Sequence, residues 1–186
     1  MLLRAALVGA LAVVAAACDP DPVCLGDCAQ PIGLAPVGLD DGAVVDLSIE
    51  TVISIQPPLQ GGFVSYVGVR AQNVHDLGGT LSVALRNLDT NQIVSTESRP
   101  ATFELRADGW AVPQVPSQDL ANLPVCPYGS IPGPDDFDAM AWRADITFVD
   151  RDGRQAAATA TVRPQCAVGD TYCHCACRFD QTTSCP

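Results

Sequence analysis

The chain has 186 residues, one domain's worth, and its 48% hydrophobic and 17% charged content excludes a disordered acidic chain. Lysine is absent, only Glu50, Glu97 and Glu104 stand among the 21 acids, and 15 Gly and 15 Pro supply turns, which favours an all-β domain over a helical bundle. A net charge of -11 argues against nucleic-acid binding and against electrostatic adhesion to anionic lipid.

Residues 1–17 read as an export signal. Arg4 is followed by 13 uncharged residues, Ala5 to Ala17, too few for a lasting transmembrane helix of ~20 apolar residues. The run ends Val14-Ala15-Ala16-Ala17-Cys18, and polar Asp19-Pro20-Asp21-Pro22 follow. This resembles the lipobox of bacterial lipoproteins, in which small residues precede a cysteine that is lipidated and becomes the first residue of the mature chain. The family prefers Leu three places before that cysteine; Ala15 stands there. The resemblance implies a membrane anchor on Cys18. Ala15-Ala16-Ala17 also fits ordinary signal cleavage. Cysteine parity favours lipidation: nine cysteines are odd, and setting Cys18 aside leaves Cys24, Cys28, Cys126, Cys166, Cys173, Cys175, Cys177 and Cys185, which can all pair.

Residues 18–43, with Asp-Pro steps, Gly26, Pro31, Gly33 and Pro36, read as a lipid-anchored tether pinned through Cys24 and Cys28. From Val44 the pattern is β. Val45, Leu47, Ile49, Ile53 and Ile55 share one parity; Phe63 to Val74 is apolar on both, as in a central strand. Further strands are expected at Leu81–Leu85, Gln92–Glu97 and Thr102–Ala107, the last closed by Asp108-Gly109. Residues 112–134 carry six prolines and read as one irregular loop, in which Ser117–Leu120 supply a single helical turn. Met140, Trp142, Ala144, Ile146 and Phe148 alternate as a strand, Asp150–Arg154 turns a hairpin, and Gln155 to Arg163 returns.

Seven strands with turns about every ten residues describe an antiparallel two-sheet sandwich over 44–165, with a cysteine-rich tail over 166–186. The pattern resembles the immunoglobulin-like class of extracellular bacterial domains, without the Cys…Trp…Cys spacing of antibody domains. It also resembles lipoproteins of high-GC bacteria that carry no assigned activity. The fold expected is therefore all-β, a seven-stranded antiparallel immunoglobulin-like sandwich with disulfide-braced N- and C-terminal tails.

Cys173-His174-Cys175-Ala176-Cys177 lacks the C-x₂₋₄-C spacing of zinc sites, so disulfides are expected there and no metal. Reflection of the 139–163 hairpin about Asp152 places Cys166 near Asp138, so Cys126 is expected to pair with Cys166. In an extended tail Cys173, Cys175 and Cys177 face one way; each is expected to take one of Cys24, Cys28 and Cys185, tying the two ends together. His75 has no G-x-S-x-G serine to work with, and no catalytic residue is assigned. Asp135-Asp136-x-Asp138 and Asp150-x-Asp152-Gly153 could hold calcium but suit turns equally. Trp142 is in phase with the core; Trp110 opens the proline-rich loop and covers the sandwich end or meets a partner. The function expected is a non-enzymatic, cofactor-free cell-envelope lipoprotein, held extracytoplasmically by its anchor and meeting an envelope protein. The alternative is a calcium- or ligand-binding module using the 112–138 loop.

Overall fold

In the computed structural model, residues 23–47, 50–58, 62–126 and 140–177 are described. Along the chain come β1 (Cys24–Leu25), β2 (Gly33–Asp40), β3 (Ala43–Asp46), β4 (Thr51–Ser54), β5 (Phe63–Gln72), β6 (Val74–His75), β7 (Gly78–Asn87) and β8 (Ile93–Leu105). They are followed by β9 (Ala111–Pro113), the one-turn helix α1 (Pro116–Asp119), β10 (Ala121–Cys126), β11 (Trp142–Asp150), β12 (Gln155–Gln165) and the short helix α2 (Thr171–Ala176).

The alternation in the second half of the chain becomes pairing. Trp142, Ala144, Ile146 and Phe148 all point into the core, and β11 runs antiparallel to β12 (Val149 opposite Gln155) and to β7 (Ile146 opposite Val83). β7 also pairs with β8, while β4 runs parallel to the end of β12, Thr51 opposite Val162. The facing layer is built on β5. Buried over most of its length, β5 pairs with β2 and β10, touches β9 through Ala71 and Ala111, and meets the chain beyond β4 where Gln56 bridges Val64. The 13-residue β8 joins the two layers, pairing with β7 over its first ten residues and with β9 over Phe103–Leu105. Between the layers Phe103 meets the ring of Phe148 edge-on at 5.3 Å. The molecule is an all-β sandwich with disulfides.

Three expectations are corrected. Twelve strands form among the described residues, not seven: the strand expected from Val44 to Ile55 is two, β3 and β4, the two expected over 92–107 are one, β8, and β1, β2, β6, β9 and β10 are added. The tether does not extend to residue 43: β2 lies within it, Val37 and Leu39 are buried, and β2 pairs with β5 from Gly33 to Gly38. Its glycine serves packing, since a Cβ on Gly38 would sit 2.7 Å from Ile53 Cγ2 and 3.0 Å from Leu47 Cδ2. The 112–134 stretch is not one irregular loop either. Ala121, Leu123 and Val125 are fully buried in β10, which pairs with β5 from Ala121 opposite Val67 to Cys126 opposite Phe63. Pro124 is tolerated because β10 has β5 on one side only among the described residues, so the missing N–H can face away. The helical turn sits where expected, shifted to Pro116–Asp119 with Pro at its start.

Candidate functional site

The one charged side chain of β5 is Arg70. It lies opposite Ala35 of β2 and one residue before the Ala71–Ala111 contact with β9. A tight turn delivers Trp110 to it: Gly109 takes φ +83°, its N–H donates to Arg106 O, and Arg106 N–H donates to Trp110 O. The guanidinium carbon of Arg70 rests 4.7 Å from the centre of the Trp110 ring, a cation–π stack. Arg70 also reaches Asp46 of β3 at 3.4 Å, and its buried Nε has no hydrogen-bond partner in the structure. Beside this stack opens a cavity of about 330 Å³ whose wall includes Arg70, Asp46, Glu104, Arg106, Val112 and Gln114. Arg106 and Glu104 pair at 2.5 Å on its rim. The lining thus carries two arginines and two acids on an apolar floor, a set that can orient a small polar or zwitterionic molecule.

The wall next to the cavity is stiff. Asp119, buried at the end of α1, accepts from Val115 N–H at 2.6 Å and from the N–H and hydroxyl of Thr102 at 2.8 and 2.7 Å. It therefore clamps the 115–119 turn onto β8. Arg99 donates to the carbonyls of Gln118 and Leu120 and pairs with Glu97, whose other oxygen accepts from Asn122 N–H.

The acids proposed for calcium divide. Asp135, Asp136 and Asp138 lie outside the described residues. Asp150 and Asp152 are hairpin residues: Asp150 accepts from Arg154 N–H at 2.9 Å, Gly153 takes φ +80°, and His75 Nε2 lies 3.2 Å from Asp152. Asp150 also accepts His75 N–H, and Arg154 closes on it at 2.8 Å. Burial raises the Asp150 pKa, but the hydrogen bonds from His75 N–H and Arg154 outweigh it and hold the carboxyl below the ordinary range. Asp145 behaves alike, burial opposed and overcome by hydrogen bonds from Arg143 and Arg86.

The seven described cysteines are oxidised, and six of them pair otherwise than expected. Cys126 bonds Cys177, not Cys166; Cys166 bonds Cys173; Cys24 bonds Cys28. Cys175 is disulfide-bonded too, and Cys18 and Cys185 lie outside the described residues. The reason is that residues 171–176 of the tail are a helix, not extended. Asp170 caps α2 by accepting Cys173 N–H at 2.9 Å. Cys173 and Cys177, four apart, then share its buried side, while Cys175 points elsewhere. Among the described residues the N-terminal segment is pinned by the sandwich: β1 pairs with β6, Asn73 bonds Asp27 N–H and Pro31 O, and Arg154 donates to the Cys28 carbonyl. The sulfurs of Cys166, Cys173 and Cys177 lie within 4.8 Å of one another, a thiolate-site spacing, yet all three are in disulfides and none is a thiolate ligand.

Sequence reading missed Arg70 and the cavity. The available signal was an arginine alone in an otherwise uncharged β5. No family model matches the chain, and no curated protein matches it. No helix among the described residues is long and apolar enough to cross a membrane.

Proposed function

We propose that the chain is an exported, lipid-anchored bacterial lipoprotein whose sandwich has a structural or protein-interaction role in the cell envelope, without catalysis. The observation that carries this reading is the oxidation of all seven described cysteines, a state that persists in extracytoplasmic compartments. It joins the lipobox-like Ala15-Ala16-Ala17-Cys18. Among the described residues, Asp150, Asp152 and His75 hold the Asp150–Arg154 hairpin. An immunoglobulin-like topology is supported by strand order: β2, β5 and β10 take the places of strands A, B and E, and β7, β11 and β12 those of C, F and G.

Cysteine arithmetic supplies the test. Three bridges use six cysteines, so Cys175 takes Cys185 once Cys18 carries lipid. Cys18→Ser is expected to move the protein from the membrane to the soluble fraction, and non-reducing peptide mapping of the native chain to link Cys175 to Cys185. A Cys18–Cys175 bridge, or membrane retention of the variant, overturns the proposal.

A second reading, a small-ligand receptor, rests on the Arg70–Trp110 cavity, which adjoins the start of the 112–138 segment. Trp110 stacks on Arg70, which lines the cavity, so a compound that draws Arg70 to itself shifts the Trp110 emission. Arg70→Met is expected to abolish that shift; a shift that survives the substitution excludes the site.

A further inference from the structure

Four buried sulfurs meet where the tail docks on the sandwich. Cys126 ends β10, Cys166 follows β12, Cys173 lies in α2 and Cys177 caps it; none is more than 4% exposed. Two bridges join them in pairs, Cys126–Cys177 and Cys166–Cys173. Two disulfides need not touch, yet these do. Cys177 Sγ lies 3.8 Å from Cys166 Sγ and 3.9 Å from Cys173 Sγ. Four sulfurs bound ~2.3 Å from one tetrahedral zinc stand about 3.8 Å from one another. The separations across the two bridges are thus already those of ligands to a single ion, and only the bonded pairs have to part.

The backbone brings the same four together. Cys173 and Cys177 are spaced C-x₃-C, inside the range of structural zinc sites. The bond from Cys177 N–H to Cys173 O at 2.9 Å sets them one helical turn apart on the buried side of α2. Cys126 and Cys166 arrive from the ends of β10 and β12, one strand from each layer. Cys175 is bridged outside this set. All four belong to the apolar core, where free thiolates are disfavoured. On reduction they remain thiols until a dication displaces their protons.

We propose that these residues are a redox-gated metal site: on reduction, Cys126, Cys166, Cys173 and Cys177 hold one zinc-class ion in place of the two bridges. Four thiolates in a closed tetrahedral set select zinc over hard cations. Two equivalents of a dithiol reductant open both bridges, each dithiol closing to its own cyclic disulfide, and leave four thiols. One zinc ion binds them and releases four protons. In the reverse direction two equivalents of a disulfide oxidant take four electrons from the thiolates and, with four protons, become four thiols, while both bridges re-form and the ion leaves. The tail stays on the sandwich in either state, and oxidation sets the metal free. The site does not depend on export or on the lipid anchor.

The test begins with the full chain reduced by dithiothreitol, freed of it without air, and titrated with cobalt(II). The expected result is one equivalent bound with the visible bands of tetrahedral thiolate cobalt, discharged by one equivalent of zinc, and slowed hydrogen exchange at residues 171–176. Oxidised glutathione is expected to release the zinc to a chromophoric chelator, and the unreduced chain to take up no cobalt. Replacing Cys18, Cys24, Cys28, Cys175 and Cys185 by serine is expected to leave the bands in place. Cys166→Ser with Cys173→Ser, in the otherwise native chain, is expected to remove them. A reduced chain that takes no cobalt overturns the proposal. So do bands that survive Cys166→Ser with Cys173→Ser, which assign the metal to the other cysteines, and bands that appear without protection of 171–176.

Discussion

Replacing Cys126 and Cys177 together by alanine is expected to lower the unfolding free energy by about 4 kcal/mol, the entropy of closing a chain separation of 51 residues. The same treatment gives about 2 kcal/mol each for Cys166–Cys173 and Cys24–Cys28, with separations of 7 and 4. The long bridge joins the end of β10 to the end of α2 and fixes the tail against the sandwich, where Tyr172 meets Phe63 with ring centres 5.7 Å apart. Urea unfolding of the native and double-alanine chains measures the difference, and equal losses from the three bridges refute the ordering. A single Cys126→Ala change is a different experiment. It frees Cys177 with its sulfur 3.8 Å from that of Cys166 and 3.9 Å from that of Cys173. A thiolate there can attack the neighbouring disulfide, so the single variant is expected to yield a mixture of Cys166–Cys177 and Cys166–Cys173 bridges on peptide mapping.

That bridge also shows where sequence reading reached and where it stopped. Strands with one buried face were legible because side chains alternate with a period of two: β11 was readable from Met140 to Phe148 and β7 from Leu81 to Leu85. Hairpin residues were legible because Asp-Gly chemistry is local, as at Asp108-Gly109 and Asp152-Gly153. β10 was hidden because Pro113, Pro116 and Pro124 imitate a loop, although Ala121, Leu123 and Val125 already alternate. β2 was hidden by Gly33, Pro36 and Gly38, residues that suit a tether as well as a strand crowded by Ile53. The cysteine partners depended on one local choice. An extended 173–177 turns the three sulfurs one way; a helix capped by Asp170 separates Cys175 from the other two. The capping aspartate was visible, but the segment is short and its helix is supported by tertiary bonds that no local pattern encodes. The cavity was least legible of all, since Asp46, Arg70 and Glu104 come from three separate elements.

Arg154→Ala is expected to cost about 3–5 kcal/mol, the loss typical of leaving a buried charge without its partner. The Asp150 side chain is fully buried and receives Arg154 through Nε at 3.0 Å and Nη2 at 2.8 Å. The same guanidinium donates to the carbonyls of Asn73 at 2.6 Å and Cys28 at 2.9 Å, so its loss also releases the N-terminal segment from the β5–β6 corner. The pH dependence separates the charge effect from lost packing. In the native chain the Asp150 pKa is depressed, so its stabilisation is present above the unfolded value near 3.9 and fades as pH falls through the lower folded value. In the variant, burial is left with less to oppose it, so the folded pKa moves upward and the ionised group becomes a cost that acid relieves. The gap in stability between the two chains is therefore expected to be widest at neutral pH and to narrow as pH drops below about 4. Denaturant melts at pH 7 and pH 3 measure it, and a gap independent of pH assigns the loss to packing. Asp150→Asn combined with Arg154→Met, which removes both charges, is expected to be more stable than Arg154→Ala at pH 7, because no buried carboxylate remains unpaired.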